Sequence, residues 1–190
     1  MNHGSDSIQS LQSPLPAIYP PGSLESGSHC RLLIQSFQRW MGRPLLEAAR
    51  VGSAADADLA RWLFDAPFVL VSHGLEPDPI LNFGNRRALE LWEMTWEELT
   101  RMPSRLTAEA PDREERARLL DRVTRFGYID NYSGVRISKA GKRFQIQQAI
   151  VWNLLDDTQI YRGQAAVFDQ WTELNLKTAV ELGEDLQRPG

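Results

Sequence analysis

The pattern of apolar and polar residues is most informative over residues 127–168, which contain three segments of β-strand character. They are GYIDNYSGVRIS, RFQIQQAIVWNLL and IYRGQAAVF, and short turn-like segments at 138–142 and 155–159 separate them. The middle segment alternates with the period of two that a strand requires. That alternation assigns Phe144, Ile146, Gln148, Ile150, Trp152 and Leu154 to one face. The pattern therefore predicts three consecutive antiparallel strands joined by hairpins.

Two further strands are predicted upstream, over residues 67–73 and 80–83, with a Gly- and Pro-containing loop between them. Asn85 follows the second strand and is a residue type that caps helices. Thr95 and Glu98 have the spacing of a capping box, in which each side chain accepts a hydrogen bond from the other residue's amide. Two short helices are therefore expected between the strand pair and residue 100.

The longest helix is predicted over residues 112–126 and ends at Gly127. Its apolar face is expected to comprise Leu119, Leu120, Val123 and Phe126. Further helices are predicted over residues 28–42, 54–64 and 172–187. The resulting organisation is a disordered Pro-, Ser- and Gly-rich tail at 1–27, flanking helices at 28–66, a core at 67–171 and a C-terminal helix or tail at 172–190.

Composition and charge narrow the functional classes. The chain has 190 residues, 42% of them hydrophobic, and a net charge of -4, so a single soluble domain with extensions is expected and nucleic acid is not an expected partner. Cys30 is the only cysteine, which excludes an internal disulfide. Neither a secretory leader nor a run of about 18 apolar residues is visible, so we expect a cytoplasmic protein without a membrane partner.

Longer motifs give the chain a family resemblance. The segments SHGLEPDPILNFGNRRALELWEMTWEEL, PSRLTAEA, EERARLLDRVTRFGYIDNYSGVRIS, KRFQIQQAIVWNL and RGQAAVF resemble the MEKHLA domain over roughly residues 29–171. That family is PAS-related. It occurs as a stand-alone domain in bacteria, which is the type that this chain resembles, and at the C-terminus of plant homeodomain-leucine zipper regulators. The resemblance implies an α+β fold: a PAS-like five-stranded antiparallel sheet with helices on one face, plus N-terminal helices and a C-terminal helix. It also implies a sensing role, without naming a ligand.

Two sensor chemistries known from PAS domains are not expected here. A flavin–cysteine adduct needs a cysteine on the helix after the second strand, and that helix reads NRRALELWEM. A haem ligand usually comes from the long helix, which contains no histidine. His73 is the only histidine within the predicted core, and a structural role is expected for it rather than an axial one. His3 and His29 are placed outside the core.

A non-covalent ligand would need a few polar and aromatic groups converging on an apolar pocket. The candidate pocket residues are Asn82, Asn85, Trp92, Gln148, Trp152 and Gln164. In flavin-binding PAS domains a glutamine of the last strand often contacts the flavin, which makes Gln164 the most specific of them. The alternative is that the amides bond to the backbone or to each other and the tryptophans only fill the core. Arg136 and Arg162 could bind an anionic ligand, although solvent-facing or ion-paired side chains are expected at strand ends.

The function expected from these features is a non-enzymatic sensory or regulatory domain. It would bind a small ligand or a regulatory protein partner and signal in trans as a homodimer, with the helices at 28–42 and 172–187 forming the interface. A ligand-free interaction adaptor is one alternative. A small α+β enzyme that pairs His73 with Asp78, Asp130 or Asp169 is another, and a buried carboxylate near His73 would favour it.

Overall fold

The structure, a computed structural model, describes residues 24–47, 51–108 and 113–174. Its helices are α1 (Leu24–Met41), α2 (Asp56–Phe64), α3 (Arg86–Trp92), α4 (Trp96–Leu99) and α5 (Arg113–Phe126), with a 3-10 turn at Ser104–Thr107. Its strands are β1 (Val69–His73), β2 (Leu81–Gly84), β3 (Tyr128–Ile137), β4 (Arg143–Leu155), β5 (Tyr161–Phe168) and β6 (Gln170–Leu174). The predicted order of elements between residues 54 and 168 is confirmed.

The strands of the described chain form one antiparallel sheet in the order β2-β1-β5-β4-β3, which confirms the expected α+β class. The sheet has six strands rather than five, because β6 also pairs with β4. β6 continues the register of β5: Val167 lies opposite Ile150, and Gln170 lies opposite Gln147. Neither Phe168 nor the exposed Asp169 between these two pairs is paired with β4.

The chain departs from the predictions at both ends of the core. Residues 172–174, predicted as the start of a helix, belong to β6, where pairing with β4 satisfies their backbone groups. The rest of that predicted helix lies outside the described residues. Residues 24–27, predicted as part of the tail, are helical, and Ser26 is buried. Gly27 fits there because α2 packs so closely that an added Cβ would lie 2.4 Å from Asp56.

The N-terminal helices lie on the face of the sheet opposite to α3 and α5, so helices are present on both faces. The N-terminal helices α1 and α2 cover the first face, where Leu33 and Phe37 are buried with Leu63 of α2 and Trp152 of β4. The rings of Phe37 and Trp152 meet edge to face at 5.1 Å. The apolar stripe of α1, which we expected to be available for a dimer interface, is therefore used within the protomer.

Helices α3 and α5 lie over the second face, where Trp92 and Val123 pack against Phe144, Ile146 and Val151 of β4. Val123 is fully buried, as predicted for the apolar side of the long helix. Its predicted companion Phe126 is instead 69% exposed, because it is the last residue of α5, where the chain turns away at Gly127.

A β-bulge in β4 overturns the predicted alternation of that strand. Gln148 has a positive φ of 51° and is exposed, and the pairing with β3 is irregular beside it. Phe144 and Ile146 before the bulge and Val151 after it consequently contact the same side. Trp152 contacts the opposite side. A strict period of two could not place residues on both sides of the bulge correctly.

The predicted caps are present. Asn85 accepts a hydrogen bond from the amide of Ala88, and Thr95 with Glu98 forms the reciprocal capping box. Asn85 also accepts from the amide of Leu70, so the cap of α3 is tied to β1. These short helices are therefore positioned over the sheet by their own first residues.

Gly163 of β5 provides a test of backbone packing. It has a φ of +125°, and a Cβ at this position would lie 2.0 Å from the carbonyl oxygen of His73. We expect Gly163→Ala to lower the free energy of unfolding by about 3 kcal/mol or more, because the strained backbone and the clash add together. Chemical denaturation of the purified variant measures this loss.

Gly141 supplies the matched control, since it has a φ of +82° but no atom within 4 Å of an added Cβ. Gly141→Ala should cost only the backbone penalty of about 1–2 kcal/mol. Equal losses in the two variants would contradict the packing argument.

Candidate ligand-binding cavity

A cavity of about 60 Å³ lies between the second face of the sheet and the elements above it. The strands contribute Val71, Ile146, Val151 and Phe168, and α5 contributes Leu119 and Leu120. Trp92 of α3 and the 3-10 turn complete the lining. The lining is largely apolar, with a small number of polar groups, which is the usual make-up of a small-molecule site.

Two buried polar groups of the lining have no hydrogen-bond partner among the residues that the structure describes. They are the hydroxyl of Ser104, which is 1% exposed, and the indole nitrogen of Trp92, which is 3% exposed. Buried polar groups are nearly always hydrogen-bonded in folded proteins. Both groups can therefore donate a hydrogen bond to a molecule inside the cavity.

Arg136 of β3 is the charged residue of the lining and is only 6% exposed. Its guanidinium donates to the carbonyl of Val135 and to the hydroxyl of Tyr132, both at 2.8 Å, and lies 5.4 Å from the Tyr132 ring centroid. No carboxylate of the described chain forms an ion pair with it. Tyr132 and Arg136 share the buried face of β3, because an even spacing places both side chains on one side of a strand.

Gly134 lies between these two residues and allows their contact. A Cβ at Gly134 would lie 2.3 Å from the Tyr132 hydroxyl, so only a residue without a side chain leaves room for the phenol to reach the guanidinium.

Arg136 and Arg162, the two possible anion-binding arginines of the sequence analysis, differ in their surroundings. Arg162 forms the expected surface ion pair, with its guanidinium 2.7 Å from the carboxylate of Asp156. Arg136, in contrast, is neither solvent-facing nor ion-paired within the described residues, so that expectation was wrong. Its burial follows from α3 and α5 covering the face on which it lies.

Of the predicted pocket residues, the structure places Trp92 and Gln164 in the cavity lining. The amide nitrogen of Gln164 shares its two hydrogens among three acceptors: the carbonyl of Leu120 at 3.1 Å, the hydroxyl of Thr124 at 3.0 Å and the side-chain oxygen of Asn153 at 3.1 Å. Gln164 thus links β5 to α5. Whether it also contacts a ligand stays a prediction.

The other four candidates lie elsewhere. Asn85 caps α3 and donates to the carbonyl of Phe68, and Asn82 accepts from the hydroxyl of Ser72. Trp152 packs under α1 on the first face, and the bulge turns Gln148 outward. None of these four lines the cavity. Sequence reasoning did not identify Ser104 as a cavity residue, and it named Arg136 as a possible anion-binding residue without predicting its burial.

His29 was expected outside the core, but it is 4% exposed on α1. Its Nε2 lies 2.8 Å from the hydroxyl of Ser72, which itself donates to Asn82 at 2.7 Å. Because a hydroxyl carries one hydrogen, His29 is the donor to Ser72. Burial lowers the pKa of His29 to about 3, since a charged imidazole would lose its hydration there.

His73 is also buried, and its Nδ1 lies 2.9 Å from the carbonyl oxygen of Gly74. The aspartates considered as catalytic partners, Asp78, Asp130 and Asp169, are all exposed. Asp78 instead forms an ion pair with Arg105 at 3.0 Å. The buried carboxylate that would favour an enzyme is therefore not found in the described part of the chain.

Cys30 lies on α1 beneath the first face of the sheet, and the cavity lies on the second. It is fully buried, and this burial raises the pKa of its thiol to about 12. The only cysteine of the chain is thus separated from the cavity by the sheet.

Comparison with solved structures shows that the fold is PAS-like. The PAS domain of a protein from Colwellia psychrerythraea aligns with a TM-score of 0.52 and 14% identity, over 62% of this chain and 94% of that one. An RNA-binding light-oxygen-voltage receptor aligns with a TM-score of 0.56 and 15% identity, over 76% of this chain and 39% of that one. The architecture is thus a PAS-type fold.

The particular family is shown by the sequence. The family model of the MEKHLA domain matches residues 27–173, and the chain belongs to this family. Homeobox-leucine zipper protein HOX32 of Oryza sativa subsp. japonica is 24% identical over 154 residues, and ATHB-14 of Arabidopsis thaliana is 23% identical over 160 residues. These matches cover 80% and 84% of this chain but only 18% and 19% of those relatives.

Two kinds of feature are absent from the described residues. No helix there combines the length and the apolar character that a membrane-spanning segment needs. No three His, Cys, Asp or Glu side chains of that part lie close enough to share a metal ion.

The burial of Cys30 predicts a thiol that does not react in the native protein. Since the thiolate is the reactive species and a pKa of about 12 leaves almost none of it at pH 8, a thiol-specific colorimetric reagent should label native protein far more slowly than protein unfolded in guanidinium. Rapid labelling of the native chain would contradict the buried position.

The burial of His29 predicts a specific dependence of stability on pH. The unfolded chain takes up a proton at this residue below pH 6.5, whereas the folded chain stays neutral down to about pH 3. The free energy of unfolding should therefore fall by up to about 1.4 kcal/mol per pH unit as the pH decreases through this window.

Replacing His29 with Gln removes this titration and should flatten the curve between pH 6 and pH 4.5. Urea denaturation of both proteins at several pH values measures the difference. Parallel curves for wild type and variant would contradict a neutral buried imidazole.

Proposed function

We propose that this protein is a PAS-like sensory or regulatory module that binds a small ligand in the cavity and passes its state to a protein partner. The observation that supports this most directly is the largely apolar cavity, in which Ser104 and Trp92 present buried donors without a protein partner in the described chain. Membership of the MEKHLA family supports a regulatory role rather than catalysis.

Helix α5 is the element through which occupancy of the cavity would act. Leu119 and Leu120 form part of the lining, and the end of the same helix is bound to the sheet. The side-chain nitrogen of Asn153 donates to the carbonyls of Val123 at 2.9 Å and Thr124 at 3.3 Å. A ligand that displaces α5 would therefore disturb the hydrogen bonds that hold it to β4 and β5.

The proposal includes homodimerisation. Its surface differs from the one predicted from the sequence, which was formed by the helices at 28–42 and 172–187. β3 lies at the edge of the sheet, and Phe126 and Tyr128 beside it are 69% and 38% exposed. A long edge strand with exposed aromatic residues favours association with another chain.

Location in the cytoplasm and the absence of nucleic acid among its partners stay predictions.

A ligand-free interaction adaptor is the second candidate function. It is favoured by the size of the cavity, since 60 Å³ is far below the roughly 300–1,000 Å³ of drug-sized ligand sites. In that case water would occupy the cavity and the surface alone would recognise the partner.

Native mass spectrometry of the purified full-length chain tests these alternatives. We expect a dimer that retains a stoichiometric small molecule, which is lost on denaturation. Ala166→Leu adds three carbon atoms to the cavity lining and should abolish the retained mass while the fold persists, at a stability cost of about 1–3 kcal/mol. Phe126→Glu should separate the dimer without removing the ligand.

A retained mass that survives Ala166→Leu would place the ligand outside the cavity. A chain without any retained mass, in a protein that captures a regulatory partner, would favour the adaptor.

A further inference from the structure

We infer that the cavity recognises a short monocarboxylate of two to four carbons and that Arg136 binds its carboxylate group. This inference rests on the ligand-sensing function proposed above and specifies the chemical class of the ligand. It is carried by a buried guanidinium that has no acidic partner in the described chain and lines a largely apolar cavity.

The first argument is the charge of Arg136. An arginine is protonated at every physiological pH and is rarely buried without a compensating anion. Of its five N–H groups, one donates to Val135 and one to Tyr132. The remaining N–H groups have no acceptor among residues 24–47, 51–108 and 113–174, and a carboxylate accepts two parallel hydrogen bonds from such a fork.

Arg162 shows that an arginine of this sheet can have an acidic partner, so the absence of one at Arg136 is not general. Arg162 lies on β5 and is exposed, yet it is paired with Asp156. Of these two arginines only Arg136 is buried, and an ion pair stabilises a buried guanidinium more than an exposed one. Arg136 nevertheless has no acidic partner in the described chain. The structure thus holds the guanidinium in place through Tyr132 and leaves one side for another acceptor.

The second argument is the chemistry of the rest of the lining. Ser104 and Trp92 each present a donor without a partner in the described chain, and no Asp or Glu of that chain lines the cavity. A site with several donors, one fixed positive charge and no acidic side chain favours an anion over a cation or a neutral base.

The third argument is size and polarity. A volume of 60 Å³ corresponds to about four to six water-sized positions, at roughly 10–15 Å³ each. That accommodates the four to six non-hydrogen atoms of acids from acetate to butyrate. Leu120, Ile146 and Phe168 suit a short hydrocarbon tail, whereas an inorganic oxoanion would lose hydration on all sides against them.

Isothermal titration calorimetry of the full-length protein, dialysed exhaustively in chloride buffer, tests the inference. Acetate, propionate and butyrate are the probes, and propionamide is the uncharged analogue of the same shape as propionate. We expect binding of at least one acid, no binding of propionamide, and weaker binding of octanoate, because its chain exceeds the volume of the cavity.

Arg136→Met removes the charge and keeps most of the apolar volume, and it should weaken binding by at least about tenfold. Ser104→Ala should weaken it less. Arg162→Met is the matched control, since it removes an arginine that is paired on the surface, and should leave the affinity unchanged. Thermal unfolding of Arg136→Met in the absence of acid should show a midpoint no lower than wild type, because a buried charge without a partner is removed.

Equal binding by wild type and Arg136→Met, or equal binding of propionate and propionamide, would overturn the inference. If no acid binds but native mass spectrometry finds another molecule that Ala166→Leu displaces, the carboxylate inference fails and the sensing function stands. If no acid binds and no molecule is retained, both fail.

Discussion

The architecture of this protein depends on a sheet whose centre is buried on both faces. α1 and α2 cover one side and α3 and α5 the other, so no residue of the second half of β4, 149–154, is exposed, whereas Arg143 and Gln148 of its first half are. Under that constraint the bulge at Gln148 is decisive, because one extra residue changes the side to which every later side chain points. Val151 joins Phe144 and Ile146 beside the cavity, and Trp152 joins Phe37 beneath α1.

The bulge also determines how the helices are attached. Asn153, two residues beyond Val151, faces α5 and donates to the carbonyls near its end, while Gln164 on the neighbouring strand bonds to Asn153 and to Leu120. The carbonyl of Val123 also accepts from the backbone amide of Gly127, so these side-chain amides add to the hydrogen bonds near the helix end and tie it to the sheet. Fixed attachment at one end of α5, with Leu119 and Leu120 over the cavity, makes this helix sensitive to what the cavity contains.

Buried polar groups divide into two kinds in this molecule. Asn85, Asn153 and Gln164 have their hydrogen bonds within the protein and serve the fold. Arg136 and Ser104 are equally buried but retain bonding capacity on the side of the cavity. In a low-dielectric interior, unsatisfied groups are costly, so groups of the second kind indicate where a ligand would stabilise the protein most.

The sequence by itself determined the order of elements, the antiparallel hairpins, the caps at Asn85 and Thr95 and the membership of a PAS-related family. These features depend on residues close together in the chain, whose capping chemistry and periodicity act locally. Of the candidate pocket residues, Trp92 and Gln164 line the cavity, whereas Asn82, Asn85, Gln148 and Trp152 do not, and their role in binding a ligand stays a prediction. The period-two pattern of β4 gave no indication of the bulge that separates Gln148 and Trp152 from the cavity.

Only the tertiary structure decided that β6 extends the sheet, that His29 is buried, and that Arg136 is enclosed without an acidic partner in the described chain. Each of these depends on contacts with an element that is distant in the chain. Burial by such an element changes the free energy of a residue's charged state and of its hydrogen bonds.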